Sequence, residues 1–386
     1  MNSPGSTPAL VPPGSNILVR QVNWLGDAVM TMPALVRLRK HAPHSRITIL
    51  SHEKLKDLWK GYPAADEIIS FGPGEGPWGI GRRLAPHRFS AALILPNSPR
   101  SALESWFARI PMRVGYRRPL GNFLLTHPMV RDGGPRMRKR SSREVRNLAA
   151  RSPSARSFRY PESSHQMHDY LRLMAEVGAD PEPVACPITV PEREIDPVLQ
   201  KFGLAGIHVP VLGLNAGAEY GTAKQWPVES FIEAAVRIQR GMGCRWVLFG
   251  TQAQAPLAER IRAQVSDALG RDEHSASESF PLNLAGRTTL RELIVLLSRC
   301  SALLTNDSGP MHLAAALGTP VVVPFGSTSP ELTGPWPANG SAVVRGEAPC
   351  APCFLRECPI DHRCMKDISV ERVVRAFESL CKSMLG

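Results

Sequence analysis

Short apolar runs alternate with glycine-bearing loops and helical spacings, and the alternation occurs in two separate series, which restricts the fold more tightly than any other property of the chain. The first series holds 16–20 (NILVR), 46–50 (RITIL) and 91–95 (AALIL). Between the first two, 26–40 has helical spacing that would bury Ala28, Val29, Met32, Leu35 and Leu38. The second series holds 210–214 (PVLGL), 245–249 (RWVLF), 301–304 (SALL) and 320–323 (PVVV), again with helical spacing between the runs. Strands that are apolar on both faces and joined through helices belong to parallel, helix-covered sheets. The expected fold class is α/β, with two Rossmann-like domains whose parallel sheets face a central cleft. A length of 386 residues accommodates two such domains. The Pro-rich polar stretch 181–197 is the expected boundary. It leaves 1–15 as a disordered tail, 16–185 as the first domain and 210–386 as the second, with no short internal repeat visible.

Charge divides unevenly between these domains. Residues 1–160 carry 26 Lys and Arg against 9 Asp and Glu, whereas 161–386 carry 20 against 25. Within 131–160, nine arginines and Lys139 stand against two acids, which reads as a basic insertion in the first domain. Such a field attracts a polyanion, whether nucleic acid, an anionic membrane surface or a phosphorylated substrate; the alternative is a solvated basic loop. A composition of 43% apolar and 21% charged residues excludes a disordered or fibrous chain. The uncharged stretch 308–330 contains four prolines and cannot be a membrane-spanning helix. The first fifteen residues lack the basic start and apolar run of a secretory signal, so a cytoplasmic location is expected.

Ligands of open α/β sheets bind outside the carboxyl ends of the strands, so chemistry is sought there. Asp27 follows the first strand, in Asn23-Trp24-Leu25-Gly26-Asp27, where Gly26 would permit a tight turn. Its carboxylate either faces the cleft or caps the helix. After the first strand of the second series comes 215–227 (NAGAEYGTAKQWP), in which Gly217 would let a ligand approach the backbone and Lys224 offers a charge suited to phosphate. Pro227 would then open a helix over 228–240, and Lys224 could equally be structural. The third place is 305–312 (TNDSGPMH), where backbone amides, the Ser308 hydroxyl and a helix dipole would seat a pyrophosphate. Asp307 could bind ribose or sugar hydroxyls there; an Asx turn with an N-cap explains 306–309 equally but leaves His312 unassigned.

Other features carry less. The stretch 74–79 (GEGPWG) fits GxGxxG, but Pro77 and the surrounding glycines favour a loop over a dinucleotide turn. His165 and His168 have no further ligand beside them and are expected at the surface. No Asp-x-Asp pair is present to chelate a nucleotide-bound metal. Cys350, Cys353, Cys358 and Cys364 lie within fifteen residues, close enough for a structural zinc or iron–sulfur centre, although the spacing is not that of a zinc ribbon and reduced thiols are the other reading.

Taken together, Trp24-Leu25-Gly26-Asp27, Leu95-Pro96-Asn97-Ser98, 215–227 and 305–317 resemble the ADP-heptose:lipopolysaccharide heptosyltransferases of glycosyltransferase family 9, over about 16–326. The block from Gly217 to Pro227 is most similar to the type II enzymes. The basic insertion and the cysteine cluster depart from the enterobacterial pattern, which bears on the acceptor and not on the reaction class. The resemblance implies a GT-B fold and an inverting, metal-independent transfer that needs no cofactor. It implies Asp27 as general base, and Lys224 with the amides around Ser308, Gly309 and Met311 as stabilisers of the leaving diphosphate. Asp307 would orient donor hydroxyls, Gly217 and Glu219 would lie at the adenosine or ribose, and His312 would be a phosphate contact. Arg100, Arg113, Arg117 and Arg118 are expected to bind acceptor phosphates and carboxylates. The implied partners are ADP-heptose, the lipopolysaccharide inner core and the anionic inner face of the cytoplasmic membrane, to which the enzyme would attach peripherally. Three other readings remain: a family 9 transferase with a different acceptor, a nucleotide-sugar epimerase on the same architecture, and a basic nucleic-acid-binding protein. The last would leave the cleft motifs without a role.

Overall fold

The computed structural model describes residues 11–12, 14–118, 121–131, 137–150, 157–186, 188–270 and 281–385. Most of the expected 1–15 tail lies outside them. The chain divides into two units, Met1–Gly134 with His165–Cys186, and Pro135–Ser164 with Pro187–Gly386.

In chain order the first part runs β1 (Asn16–Arg20), α1 (Leu25–Met30), α2 (Met32–His41), β2 (Arg46–His52), α3 (Lys56–Trp59), β3 (Glu67–Phe71), α4 (Pro77–Leu84), β4 (Ala91–Ile94), α5 (Pro99–Phe107), β5 (Met112–Tyr116) and β6 (His127–Met129). After α6 (Ser142–Ala149), which belongs to the second unit, α7 (Met167–Ala175) completes the first. The second unit continues with α8 (Glu192–Lys201), β7 (Val211–Asn215), α9 (Val228–Met242), β8 (Arg245–Leu248), α10 (Ala255–Ala268), β9 (Leu282–Asn283), α11 (Leu290–Arg299), β10 (Ala302–Thr305), α12 (Gly309–Ala316), β11 (Val321–Phe325), α13 (Pro330–Thr333), β12 (Ser341–Arg345), α14 (Arg363–Lys366) and α15 (Val370–Leu385).

Each unit builds one parallel six-stranded sheet, β3-β2-β1-β4-β5-β6 and β9-β8-β7-β10-β11-β12. Counted from its own first strand, each has the order 3-2-1-4-5-6, the doubly wound arrangement whose direction reverses beside the first strand. The central strands are the apolar runs because helices cover both of their faces: Ile17, Leu18 and Val19 in β1, and Leu303 and Leu304 in β10, are fully buried. In the second unit Trp226 anchors the core. Its ring stands edge-on to Phe231 at 5.1 Å, and its Nε1 donates to Ile368 O at 2.9 Å, so a large apolar body is buried without stranding its polar atom.

Two sequence expectations change here. The helix expected over 26–40 is two helices, broken at Thr31, because Pro33 has no N–H to give to the preceding turn and its ring crowds that turn's carbonyl. Thr31 Oγ1 donates to Ala28 O at 2.7 Å and lies 3.1 Å from Gln21 Oε1, which stabilises the break. The basic insertion, expected in the first domain, is grouped from Pro135 onward with the second unit. Its described parts bind the cysteine segment: Arg140 N–H donates to Cys353 O (3.0 Å), Phe158 N–H to Ala351 O (3.2 Å) and Arg363 Nη1 to Ala149 O (2.8 Å). Val145 of α6 joins the second unit's core beside Cys350, Cys353 and Cys364. Residues 132–136 and 151–156 of the insertion lie outside the described residues.

Candidate active site

At the end of β1 a buried ion pair shapes the approach to Asp27. Arg20 and Glu104 are both fully buried, with guanidinium–carboxylate contacts of 2.6 and 3.2 Å. Arg20 also bonds Gln21 O and Asn23 Oδ1 and lies over the Phe71 ring, so the turn 21–24 is held from beneath. Trp24 is the extended N-cap of α1 and makes no side-chain cap bond, although Ser, Thr, Asp or Asn is the usual residue there. Asp27 lies in the first turn and is not the cap; its carboxyl is partly exposed. Gly26 is helical, so the tight turn expected there is absent. Tyr170 on α7 is buried, its hydroxyl receives Gln166 Nε2 at 2.7 Å, and burial together with the charge of Asp27 raises its pKa well above the usual phenol value.

The four acceptor-site arginines divide. Arg113 is spent on structure, donating to Leu124 O (2.6 Å) and Ile110 O, and is therefore withdrawn from the acceptor set. Arg100 is exposed and reaches Glu75 O and Glu104. Arg117 is exposed beyond β5, with only its backbone N–H fixed, on Met129 O. Arg118 is the unusual one: its residue is 6% exposed, and none of its three guanidinium nitrogens has a hydrogen-bond partner among the described residues. Burial lowers its pKa. A guanidinium without a partner in such a place is costly, so the position favours an anion as ligand.

In the second unit the corresponding reversal lies beside β7. Asn215, the last residue of β7, donates to Thr305 Oγ1 (3.1 Å) at the end of β10 and to Ser308 Oγ (3.0 Å) at the start of α12. Asn306 donates to Ala216 O (2.6 Å) and accepts from Trp226 N–H (2.9 Å), locking the two loops together. Asp307 is 4% exposed, and its Oδ2 receives both Lys224 Nζ and Thr328 Oγ1, each at 2.7 Å. Residues widely separated in sequence thus converge on one carboxylate. Thr328, from the loop after β11, gave no signal beyond its place after a strand.

Several donor-site expectations need correction. Ser308 is the extended N-cap of α12, but its hydroxyl is turned to Asn215 and Thr305, so no side chain caps the helix and the Asx-turn-plus-cap reading fails. A Cβ at Gly217 would stand 2.3 Å from the Gln254 side chain, so the close approach there is made by Gln254. The Met311 side chain is in the core and its N–H already bonds Ser308 O, which removes it as a donor contact. Gly309 begins α12, His312 is buried on it, and Glu219 is exposed. Pro227 is the N-cap of α9, not its first helical residue.

His165, expected at the surface, is buried, and its Nδ1 accepts Met167 N–H at 3.3 Å. The stretch 74–79 does follow a strand and enter α4, with Gly74 at φ 91° and Pro77 opening the helix. The eight cysteines are free. Cys350, Cys353 and Cys364 belong to the apolar core of the second unit, where burial raises their pKa values and favours the neutral thiol. Among the described residues no group of three or more His, Cys, Asp or Glu is placed to hold a metal.

Two doubly wound units, each with polar side chains gathered where its sheet reverses, give the chain the GT-B architecture. The profile of glycosyltransferase family 9 (heptosyltransferase) matches residues 78–363. Lipopolysaccharide heptosyltransferase 2 of Salmonella typhimurium (strain LT2) is 30% identical over 85% of this chain and 87% of its own length. Lipooligosaccharide heptosyltransferase 2 of Haemophilus ducreyi is 31% identical over 94% and 99%. The structure of Escherichia coli ADP-heptose lipopolysaccharide heptosyltransferase II superposes with a TM-score of 0.76 at 26% identity, covering 96% of this chain and all of that one. The chain belongs to glycosyltransferase family 9.

Proposed function

We propose that this enzyme transfers heptose from ADP-L-glycero-β-D-manno-heptose to the inner-core heptose of lipopolysaccharide, with inversion and without a metal. The observation that carries the donor half is Lys224, fixed at 2.7 Å on buried Asp307 beside the uncapped start of α12. A cation and a helix N-terminus together form a diphosphate site. Asp27 takes the proton from the acceptor hydroxyl as that oxygen bonds to the anomeric carbon. The bond from that carbon to the phosphate oxygen breaks, and ADP leaves with the electron pair. Lys224 and the amides of Ser308 and Gly309 meet the charge that grows on the diphosphate. Asp307 holds Lys224 and reaches donor hydroxyls, while Glu219 and His312 are secondary donor contacts. Arg118, with Arg100 and Arg117, receives the anionic acceptor.

Steady-state kinetics on variants tests these roles. Asp27→Asn should lower kcat by about two to four orders of magnitude with donor binding intact, the range of a lost general base. Near-normal turnover in that variant would reject the assignment. Lys224→Met should lower both donor affinity and kcat, and unchanged values would remove its role.

The acceptor is lipid-linked, so the enzyme works at the inner face of the cytoplasmic membrane, steered by the basic residues of 131–160. No helix among the described residues is long and apolar enough to cross a membrane. The steering reading expects association that falls with salt and with neutralisation of those arginines, and fails if neither matters.

A further inference from the structure

In the first unit α4 and α5 pack at Gly81, where an added Cβ would stand 2.4 Å from Phe107 Cβ and 2.8 Å from Glu104 O. The turn Asn122–Leu124 adjoins the start of α5, with Gly121 close to Pro99. These pieces form one layer. Its inner side joins the core through Ile80, Leu84, Ala102 and Leu124. Its outer side is the reverse of what water favours: Trp78 is 59% exposed, Trp106 47% and Phe123 81%. On α5 the exposed positions are Pro99, Arg100 and Trp106, so an aromatic and a cation share the outward side.

The charge around these aromatics is mostly positive, with Glu75, 3.4 Å from Arg83, as an exception. From 77 to 117 there are seven arginines and one acid, Glu104, which is buried against Arg20. Arg82, Arg83, Arg88 and Arg109 are exposed, and the Arg82 guanidinium lies 5.6 Å from the Trp78 ring.

We propose that this layer docks the enzyme on an anionic bilayer, with Trp78, Trp106 and Phe123 entering the headgroup region while Arg82 and Arg109 pair with lipid phosphates. The inference rests on the reading of the acceptor as lipid-linked. Trp suits a boundary with one apolar and one wet side, and Arg can lie along apolar surface with its head among phosphates. A second copy of the chain fits poorly, since it would set two positive layers against each other.

The test is co-sedimentation of the full chain with phosphatidylcholine vesicles, with and without phosphatidylglycerol. Binding should require the anionic lipid. Trp78→Ser combined with Trp106→Ser and Phe123→Ser should lower partitioning about tenfold or more, and Arg82→Ser with Arg109→Ser by a similar factor. Turnover of a soluble, delipidated acceptor and the melting temperature should not change, because all five side chains are exposed. Wild-type partitioning in the aromatic triple variant, or equal binding to neutral vesicles, would overturn the proposal. So would lipid-free self-association that the triple variant abolishes. Vesicle binding without sugar transfer would leave the docking surface standing and sink the transferase reading; transfer with unaltered binding in the variants would do the opposite.

Discussion

Arg118 is the residue whose environment says most about the substrate. A buried guanidinium with no partner among the described residues destabilises the free protein, and an acceptor phosphate or carboxylate would offset that cost. The two effects have opposite signs in one variant. Arg118→Met should raise the unfolding free energy by about 1–3 kcal/mol, measured by urea titration without ligand. The same change should raise the acceptor KM about thirtyfold or more, with donor KM unchanged. Loss of stability with an unaltered acceptor KM would make Arg118 a structural residue. At Asp307, two donors share one carboxylate oxygen, so Asp307→Ala should cost more than the loss of a donor hydroxyl contact alone: Lys224 loses its anchor and Thr328 its acceptor. Asp307→Ala and Lys224→Met should therefore be non-additive in kcat/KM; additive effects would separate the residues functionally.

Among the elements, the junction of α4 and α5 shows how little space the first unit has to spare. Gly81→Val would drive a side chain into Phe107 Cβ and the Glu104 carbonyl. Overpacking of this kind costs typically about 1–3 kcal/mol, and a thermal melt should show it clearly. An unchanged melting temperature would mean that the helices move apart freely. Glu104→Gln should be severe as well, roughly 3–5 kcal/mol, because Arg20 would remain buried without its counter-charge. The central strands except β5, where MRVGY breaks the run with Arg113 and Gly115, were legible in sequence because burial on both faces demands continuous apolar residues, as in NILVR and ALLT. The strands β3, β6, β9 and β12 were not, since they stand at sheet edges where one side is open and polar residues such as Glu67, Ser70 and His127 are tolerated. Site residues at or shortly after the carboxyl end of a central strand, such as Asp27, Asn215 and Asp307, could be located from that position. Thr328 and the lack of any partner for Arg118 among the described residues could not, because both depend on contacts or burial created only when distant segments pack.

For the whole molecule, the repeated 3-2-1-4-5-6 order gives one chain two sites of the same architectural kind. Positive charge is shared by the two units, because the basic run after Pro135 groups with the second, where a diphosphate seat is built from one lysine and a helix start. Global stability should also register the buried thiols. Burial pushes Cys186 and Cys300 up to about 12, above the ordinary thiol range, so each stays protonated in the fold at a pH where an unfolded thiol ionises. That contribution is complete below about pH 8.5 and is lost as pH rises towards 12, at up to roughly 1.4 kcal/mol per pH unit per thiol. Urea titrations at rising pH should show the decline, and Cys300→Ala should flatten it; an equal slope in the variant would contradict the burial argument.

The central claim is transfer of one heptose to a heptosylated, lipid-linked acceptor. Mass spectrometry of the products from ADP-heptose, with and without heptosyl-Kdo2-lipid A and in the presence of EDTA, tests it most directly. The expected result is addition of a single heptose only when the acceptor is present, undiminished by the chelator. Folded, donor-binding protein that leaves this acceptor unmodified, or that consumes the donor without it, would contradict the account.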